Sequence, residues 1–395
     1  MEFDIQNPNS MKNIIISGSI IKYPWGGLIQ YWTAWFHGLK SLGYKVYYVE
    51  DVSWEYACYN VETKMMINDP SYGIMRVVEE LKRYDMQNSW CFIDHEETHY
   101  GMSKQELLKV FKEADVFIDT QFDTLPQYSM KGPLRVLLDG EPGWNQIGIK
   151  NMIDSGESVP VYDAYFSLGL NIGTPKAMAP DLGITWERMM VPVLIEPTPY
   201  IPISKDASFT TVMAWQANPV KTYEGKTFGM KDVEFQKFLE LPKLVNQKME
   251  IAVSGPNVPW DLLKENGWNV VNADDISVSL KSYRKYINGS KGEFSVAKNA
   301  HVATKNGMFL ERSGYYLLAG RPVVLQDTGW SEYLPTGRGL FAVNSLDEAV
   351  DAIDQINGDY QKHARWANEV AMEYLDAVKT IGGFMEILKT KYGRM

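Results

Sequence analysis

Apolar positions along this chain change period again and again, from unbroken runs to helical spacing and back. Asn13–Ile20 is an apolar run of the kind a strand buried on both faces requires. After an irregular loop at Lys22–Gly27, Leu28, Trp32, Trp35, Leu39 and Leu42 fall on one helical face, and Gly43 marks its stop. KVYYVED reads as the next strand, which completes a βαβ unit and predicts a parallel sheet. Val116–Asp119, Arg135–Leu138 and Ala164–Leu168 continue the series.

The second half repeats this logic. Strands are expected at Thr210–Trp215, Met249–Ser254, Trp268–Val271 and Pro322–Gln326, with a brief one at Val302–Thr304. Helices are expected at Val233–Leu241 behind Asp232, Ser279–Asn288 and Arg312–Ala319, the last stopped by Gly320. Ser345 and Glu348 form a capping box before a helix through Ile356. A terminal helical stretch, Gln361–Lys391, is expected to break near Gly382–Gly383. Between the halves, Pro192, Pro197, Pro199 and Pro202 forbid a helix and favour an extended linker.

The fold class is therefore α/β, with two Rossmann-like domains facing across a cleft, and 395 residues suit two domains. Residues 1–10 read as a leader, since Met11 opens a natural-looking start. Residues 11–200 form the first domain and 201–375 the second. Residues 376–395 form a terminal helix expected to pack back on the first domain.

Composition narrows the function classes. At 45% hydrophobic and 22% charged, the chain can bury a large core, and disordered or collagen-like classes are excluded. No apolar run is long enough for a membrane span. Two cysteines, Cys58 and Cys91, make a disulfide framework implausible and point to a reducing, cytoplasmic setting. The net charge of −10 is uneven: residues 1–200 carry 16 basic and 26 acidic side chains, the remainder 23 of each. An acidic half is a poor surface for a phosphate backbone, which disfavours a nucleic-acid partner.

In open parallel sheets, ligands bind beyond the carboxyl ends of strands. Tyr23-Pro24-Trp25-Gly26-Gly27 lies there, and Gly26 and Gly27 would let a phosphate approach the start of the following helix. The loop is not G-x-G-x-x-G, which argues against a dinucleotide oxidoreductase. The segment from Gly292 to Gly339 is more specific. Arg312 is a bidentate cation at an expected helix start, with Ser313 as N-cap or phosphate partner. Asp327, Thr328 and Gly329 follow the next strand and suit a sugar or a diphosphate.

This segment resembles the donor-binding half of GT-B glycosyltransferases, through Ala319, Gly320, Pro322–Val324, Gly329 and Glu332. More closely, LLDGEPGWNQ, SLGLNIG, GEFSVAKNAHV and RSGYYLLAGRPVVLQDTG are similar to a group of bacterial glycosyltransferase-like proteins. The likeness runs from Met11 through nearly the whole chain. It implies transfer of a sugar from a nucleotide-diphosphate sugar, UDP-sugars first among them, to a hydroxyl-bearing acceptor. It also implies a diphosphate held by cations and a helix start, with no metal and no further cofactor. Lys231, Lys298 and Arg312 are the candidate cations, with Glu293 nearby. One departure concerns the E-x7-E motif of many retaining members, whose positions fall here on Gly307 and Tyr315. Donor and stereochemical outcome therefore stay open.

Asp139 and Glu141, in DGEPG after a strand, are candidate bases for the acceptor hydroxyl, with Asp119 and Asp123 weaker candidates. Tyr23, Trp25 and Trp144 are loop aromatics able to stack on an acceptor. His95-Glu96-Glu97-Thr98-His99 matches H-E-x-x-H but lies outside a helical pattern, so a polar surface loop is expected. A nucleotide-sugar epimerase, a non-catalytic sugar-nucleotide binder and a phage-type DNA glycosyltransferase acting on a hydroxymethylated base remain as alternatives.

Overall fold

A computed structural model describes residues 12–129, 132–196, 202–204 and 206–393. The leader, Pro197 and Pro199 lie outside the described residues.

The first half contributes β1 (Asn13–Ser17), β2 (Lys45–Asp51), a small hairpin of β3 (Cys58–Asn60) and β4 (Met65–Ile67), then β5 (Trp90–Ile93) and β6 (His99–Gly101). It continues with β7 (Val116–Asp119), β8 (Leu134–Asp139), β9 (Ala164–Ser167) and β10 (Trp186–Arg188). The second half contributes β11 (Phe209–Ala214), a hairpin of β12 (Lys221–Tyr223) and β13 (Lys226–Phe228), and β14 (Met249–Ser254). It ends with β15 (Asn269–Asn272), β16 (Gly292–Ser295), β17 (Val323–Gln326) and β18 (Leu340–Val343).

Two sheets result, ordered β10-β9-β8-β7-β1-β2-β5-β6 and β15-β14-β11-β16-β17-β18. All their pairings are parallel except β5 with β6. Leaving out the hairpins and the edge strands β6 and β10, both sheets run third, second, first, fourth, fifth, sixth. This is the doubly wound order, with its ligand crevice where the order reverses. That point lies between β1 and β7 in one sheet and between β11 and β16 in the other.

A central strand is unexpected, and three expected elements differ. The GEFS stretch is the buried central strand β16, too short to show a period by itself. Val302–Thr304 belongs to a helix, Asn299–Thr304. The helix expected at Val233–Leu241 begins at Lys231, ends at Phe235 and gives way to a 3-10 turn. The terminal stretch breaks at Leu375–Asp376, between helices Tyr360–Tyr374 and Ala377–Ile387, while Gly382 and Gly383 remain helical. The cause of that break is tertiary. Leu375 O accepts from Val193 N at 2.7 Å and Ala377 N donates to Val193 O at 3.0 Å. Asp376 then caps the new helix through Val378 N and Lys379 N.

That last helix lies on the first sheet's helix, Gly26–Ser41. Phe384 packs against Trp35 at 5.7 Å and Phe166 at 4.4 Å between ring centroids. A Cβ on Gly38 would come within 2.5 Å of Ile381 Cδ1, so the two helices approach as closely as a bare backbone allows. One buried apolar cluster runs from Ile14 and Trp35 through Val193 to Leu325 and Leu340, and so joins the two sheets.

Candidate functional site

Two seams bring the carboxyl ends of the sheets together. Along one, Gly26 N donates to Ser277 O at 2.7 Å. A Cβ on Gly26 would stand 2.3 Å from Ser279 O, and one on Gly27 would meet the Tyr283 ring at 3.2 Å. The two glycines thus admit the second domain's helix, Leu280–Gly289, rather than lying open. Along the other seam, Asn171 N donates to Asn306 O at 2.9 Å, and Gly169 and Met308 form a β-bridge. A Cβ on Gly307, which has φ +79°, would stand 2.8 Å from Asn171 N. A glutamate cannot occupy that position in this packing. Tyr315 also works across the interface, donating to Gln30 O at 3.1 Å. Both departures from E-x7-E therefore serve the closeness of the domains.

Between the seams lies a charged cluster. Lys231 starts a short helix after β13 and is buried, at 7% exposure. Its Nζ has neither hydrogen bond nor ion pair among the described residues. Burial pushes its ammonium well down, and the fields of Arg312 and Lys298 push the same way. Arg312 donates from Nε to Glu293 Oε1 at 2.8 Å and from a terminal nitrogen to Ser295 Oγ at 2.6 Å. Glu293 is fully buried on β16, and its second oxygen has no partner. Lys298 precedes the helix Asn299–Thr304 and reaches across the cleft to Glu141 Oε1 at 2.5 Å.

Glu141 Oε2 lies 3.6 Å from His301 Nε2 and accepts no hydrogen bond. Burial raises its carboxyl, but Lys298 and then His301 outweigh that and hold it below its ordinary value. Burial lowers His301 to about 4, so it is neutral near pH 7, with Nδ1 3.0 Å from Pro142 O. Glu311 starts the helix Glu311–Leu318 with one oxygen unpartnered. Burial, helped by Glu293 and opposed by Arg312, raises it to about 8. Tyr283, Glu311 and His301 are members that sequence reasoning missed. A lone histidine or a tyrosine on a helix face carries no spacing signal, and only the crossing of the domains reveals them.

The other expected positions have structural tasks. Asp139 is fully buried and accepts from Asn145 Nδ2 at 2.7 Å, Gln146 Nε2 at 2.8 Å, Ser167 Oγ at 2.9 Å and Glu141 N at 3.0 Å. With both oxygens committed, it ties down the turn that carries Glu141 and faces no open space for an acceptor. The expectation of a base at Asp139 is corrected on that ground. Asp119 is filled likewise by Ser17, Thr124, Gln121 and Tyr162, and Asp123 faces Arg135 at 3.6 Å. Ser313 is not an N-cap, because Leu310 occupies that position; its hydroxyl is buried without a partner. Asp327 accepts from Gly329 N and from Ser331, closing its own loop, and Thr328 donates to Met308 O at 2.8 Å. Gly329 abuts Asn171 across the domains.

Tyr23 and Trp25 stack at 5.3 Å, and Trp25 also meets Tyr59 at 5.2 Å. Trp144 lies under Lys221, whose Nζ is 3.3 Å from the ring centroid, so a second-domain cation covers one face of that ring. The H-E-E-T-H segment forms a turn closed on Asp94, followed by β6. No metal-binding group of acidic, histidine and cysteine side chains occurs among the described residues.

No family model matches the sequence, and no curated protein matches it either. Solved structures do. An alpha-glucosyltransferase in complex with UDP and a 13-mer DNA containing a HMU base aligns with 96% of this chain and 100% of its own, at 9% identity and a TM-score of 0.54. The pneumococcal O-GlcNAc transferase GtfA, in complex with UDP and GlcNAc, aligns with 96% of this chain and 100% of its own, at 8% identity and a TM-score of 0.51. The chain thus has the GT-B fold, two Rossmann-like domains facing across a cleft. No helix among the described residues is long and apolar enough to cross a membrane.

Proposed function

We propose that this protein transfers a sugar from a nucleotide-diphosphate sugar to a hydroxyl-bearing acceptor. The observation that carries this reading is Lys231. It is a buried lysine without a counter-ion, placed beside Arg312 and Lys298 where the second sheet's order reverses. Arg312 and Lys298 have their carboxylates, but a third buried cation without an ion pair of its own costs stability unless a further anion completes it. A diphosphate is an anion of suitable charge, and three cations would stabilise the charge it gains as the sugar leaves. They would do so without a metal. Two fold neighbours were solved with UDP, so UDP is the first nucleotide to test.

Across the cleft, Glu141 is a first-domain carboxylate whose Oε2 is buried without a hydrogen-bond partner, which supports it as the base toward the acceptor. The acceptor would be neutral or cationic, in keeping with the acidic first half. The same charge argues against duplex DNA as acceptor.

A thermal-shift panel of nucleoside diphosphates and their sugars tests the donor site, since a bound ligand raises the melting temperature by linkage. Lys231→Gln should weaken the stabilising nucleotide by about 10- to 100-fold, the loss expected for a charge-assisted contact or two. Unchanged affinity in that variant would remove Lys231 from the site. Product formation in an acceptor panel separates transfer from epimerisation, which needs no acceptor.

A further inference from the structure

The three cations differ in what accompanies them. Arg312 is fixed by Glu293, which is fully buried on a central strand and cannot leave without unfolding β16. Lys231 has no partner among the described residues. Lys298 is paired across the cleft with a carboxylate on a loop of the other domain, at 2.5 Å, and that carboxylate's side chain is 38% exposed. Glu141 is therefore the exchangeable anion of the cluster. Its second oxygen accepts no hydrogen bond, and His301, 3.6 Å from that oxygen, is neutral near pH 7. The Glu141 side chain can swing away without disturbing the strand below it, because Asp139 holds the backbone of the turn through Glu141 N, Asn145, Gln146 and Ser167.

We propose that Glu141 stands in for a donor phosphate on Lys298 and is exchanged for it when the donor binds. The inference rests on the donor site proposed above and extends it to how the base is released. In the donor-free protein, the ammonium of Lys298 lowers the basicity of Glu141 and the pair closes the cleft. A diphosphate offers Lys298 a stronger anion, and closure then passes from the Glu141 pair to a phosphate lying between the domains. The released carboxylate accepts the proton of the acceptor hydroxyl. The acceptor oxygen bonds to the anomeric carbon as the bond from that carbon to the phosphate oxygen breaks. The electron pair leaves with the diphosphate, beside Lys231, Lys298 and Arg312. The base thus becomes available only when a donor is present.

Titration calorimetry with UDP on the full chain, for wild type, Glu141→Gln and Lys298→Gln, tests the exchange. Removing the internal competitor should tighten UDP binding in Glu141→Gln by about 3- to 10-fold, the net worth of one ordinary hydrogen bond, while transfer falls at least about 100-fold. Lys298→Gln should weaken UDP, because it removes the shared cation. A purely structural Glu141 gives the opposite sign, since loosening the domain seam weakens UDP in Glu141→Gln. That result, or an unchanged affinity, overturns the exchange. Tighter UDP binding with undiminished transfer overturns the release of a base. Absence of any nucleoside diphosphate binding to wild type overturns the donor site itself, and the exchange with it. Melting curves identify a misfolded variant, and Glu141→Ser then replaces it, with the same expected sign.

Discussion

At the residue scale, this site sets the proton affinities of single groups through burial. Lys231 is depressed by burial and by two neighbouring cations. An arriving anion reverses that balance, so donor binding should take up protons in the pH window between the donor-free and donor-bound values of this lysine, and affinity should fall as pH rises through that window. Calorimetry in buffers of differing ionisation enthalpy checks this, and Lys231→Gln should abolish the uptake. His301 gives a stability prediction. Its folded form is lowered to about 4 from an ordinary 6.5. Between those values the unfolded chain binds a proton that the folded chain refuses, so stability falls as pH drops through that window. The loss amounts to about 3 kcal/mol by the end of the window. Urea unfolding at pH 7 and pH 4.5 should show it, and His301→Gln should flatten the difference. The sequence offers Arg312 and Glu141 from a helix start and a strand end, and Lys231 and Lys298 through its likeness to GT-B glycosyltransferases. It cannot distinguish Asp139 from Glu141, two residues apart on one turn, because which carboxylate is filled depends on Gln146 and Ser167 folding onto it.

At the element scale, the first helix reads correctly from its period, while one short buried strand and the terminal break do not. The helix carrying Trp32 and Trp35 shows its face over four turns, whereas β16, four residues buried on both sides, shows no period. The terminal break also differs in place, because two hydrogen bonds to Val193 outweigh the helical weakness of Gly382–Gly383. The last helix contributes through Phe384, fitted between Trp35 and Phe166. Phe384→Ala should cost about 3–5 kcal/mol, read from the urea midpoint with an unchanged slope. A cost below about 1 kcal/mol would show that the helix does not depend on that ring.

At the scale of the whole molecule, the two sheets share one apolar cluster and two hydrogen-bonded seams. They should therefore unfold together. Calorimetric and van't Hoff enthalpies should agree within error in a single transition. Two resolved transitions would mean that the seams contribute little. The seams also explain why positions that resemble a ligand site are filled by protein. Gly26 and Gly307 admit the opposite domain's backbone and Gly27 admits the Tyr283 ring, so the space that a missing side chain leaves is occupied from across the cleft.

The sequence by itself determined the two βαβ series and the doubly wound class, since strand runs and helix starts are local properties of the chain, while its likeness to GT-B glycosyltransferases pointed to the candidate cations. Tertiary structure alone decided which of those groups meet. Glu141 and Lys298 stand 157 positions apart, and their pairing follows from how the two sheets face each other. The unpartnered state of Lys231 follows from the same packing, because a counter-ion is present or absent in space and not in spacing along the chain.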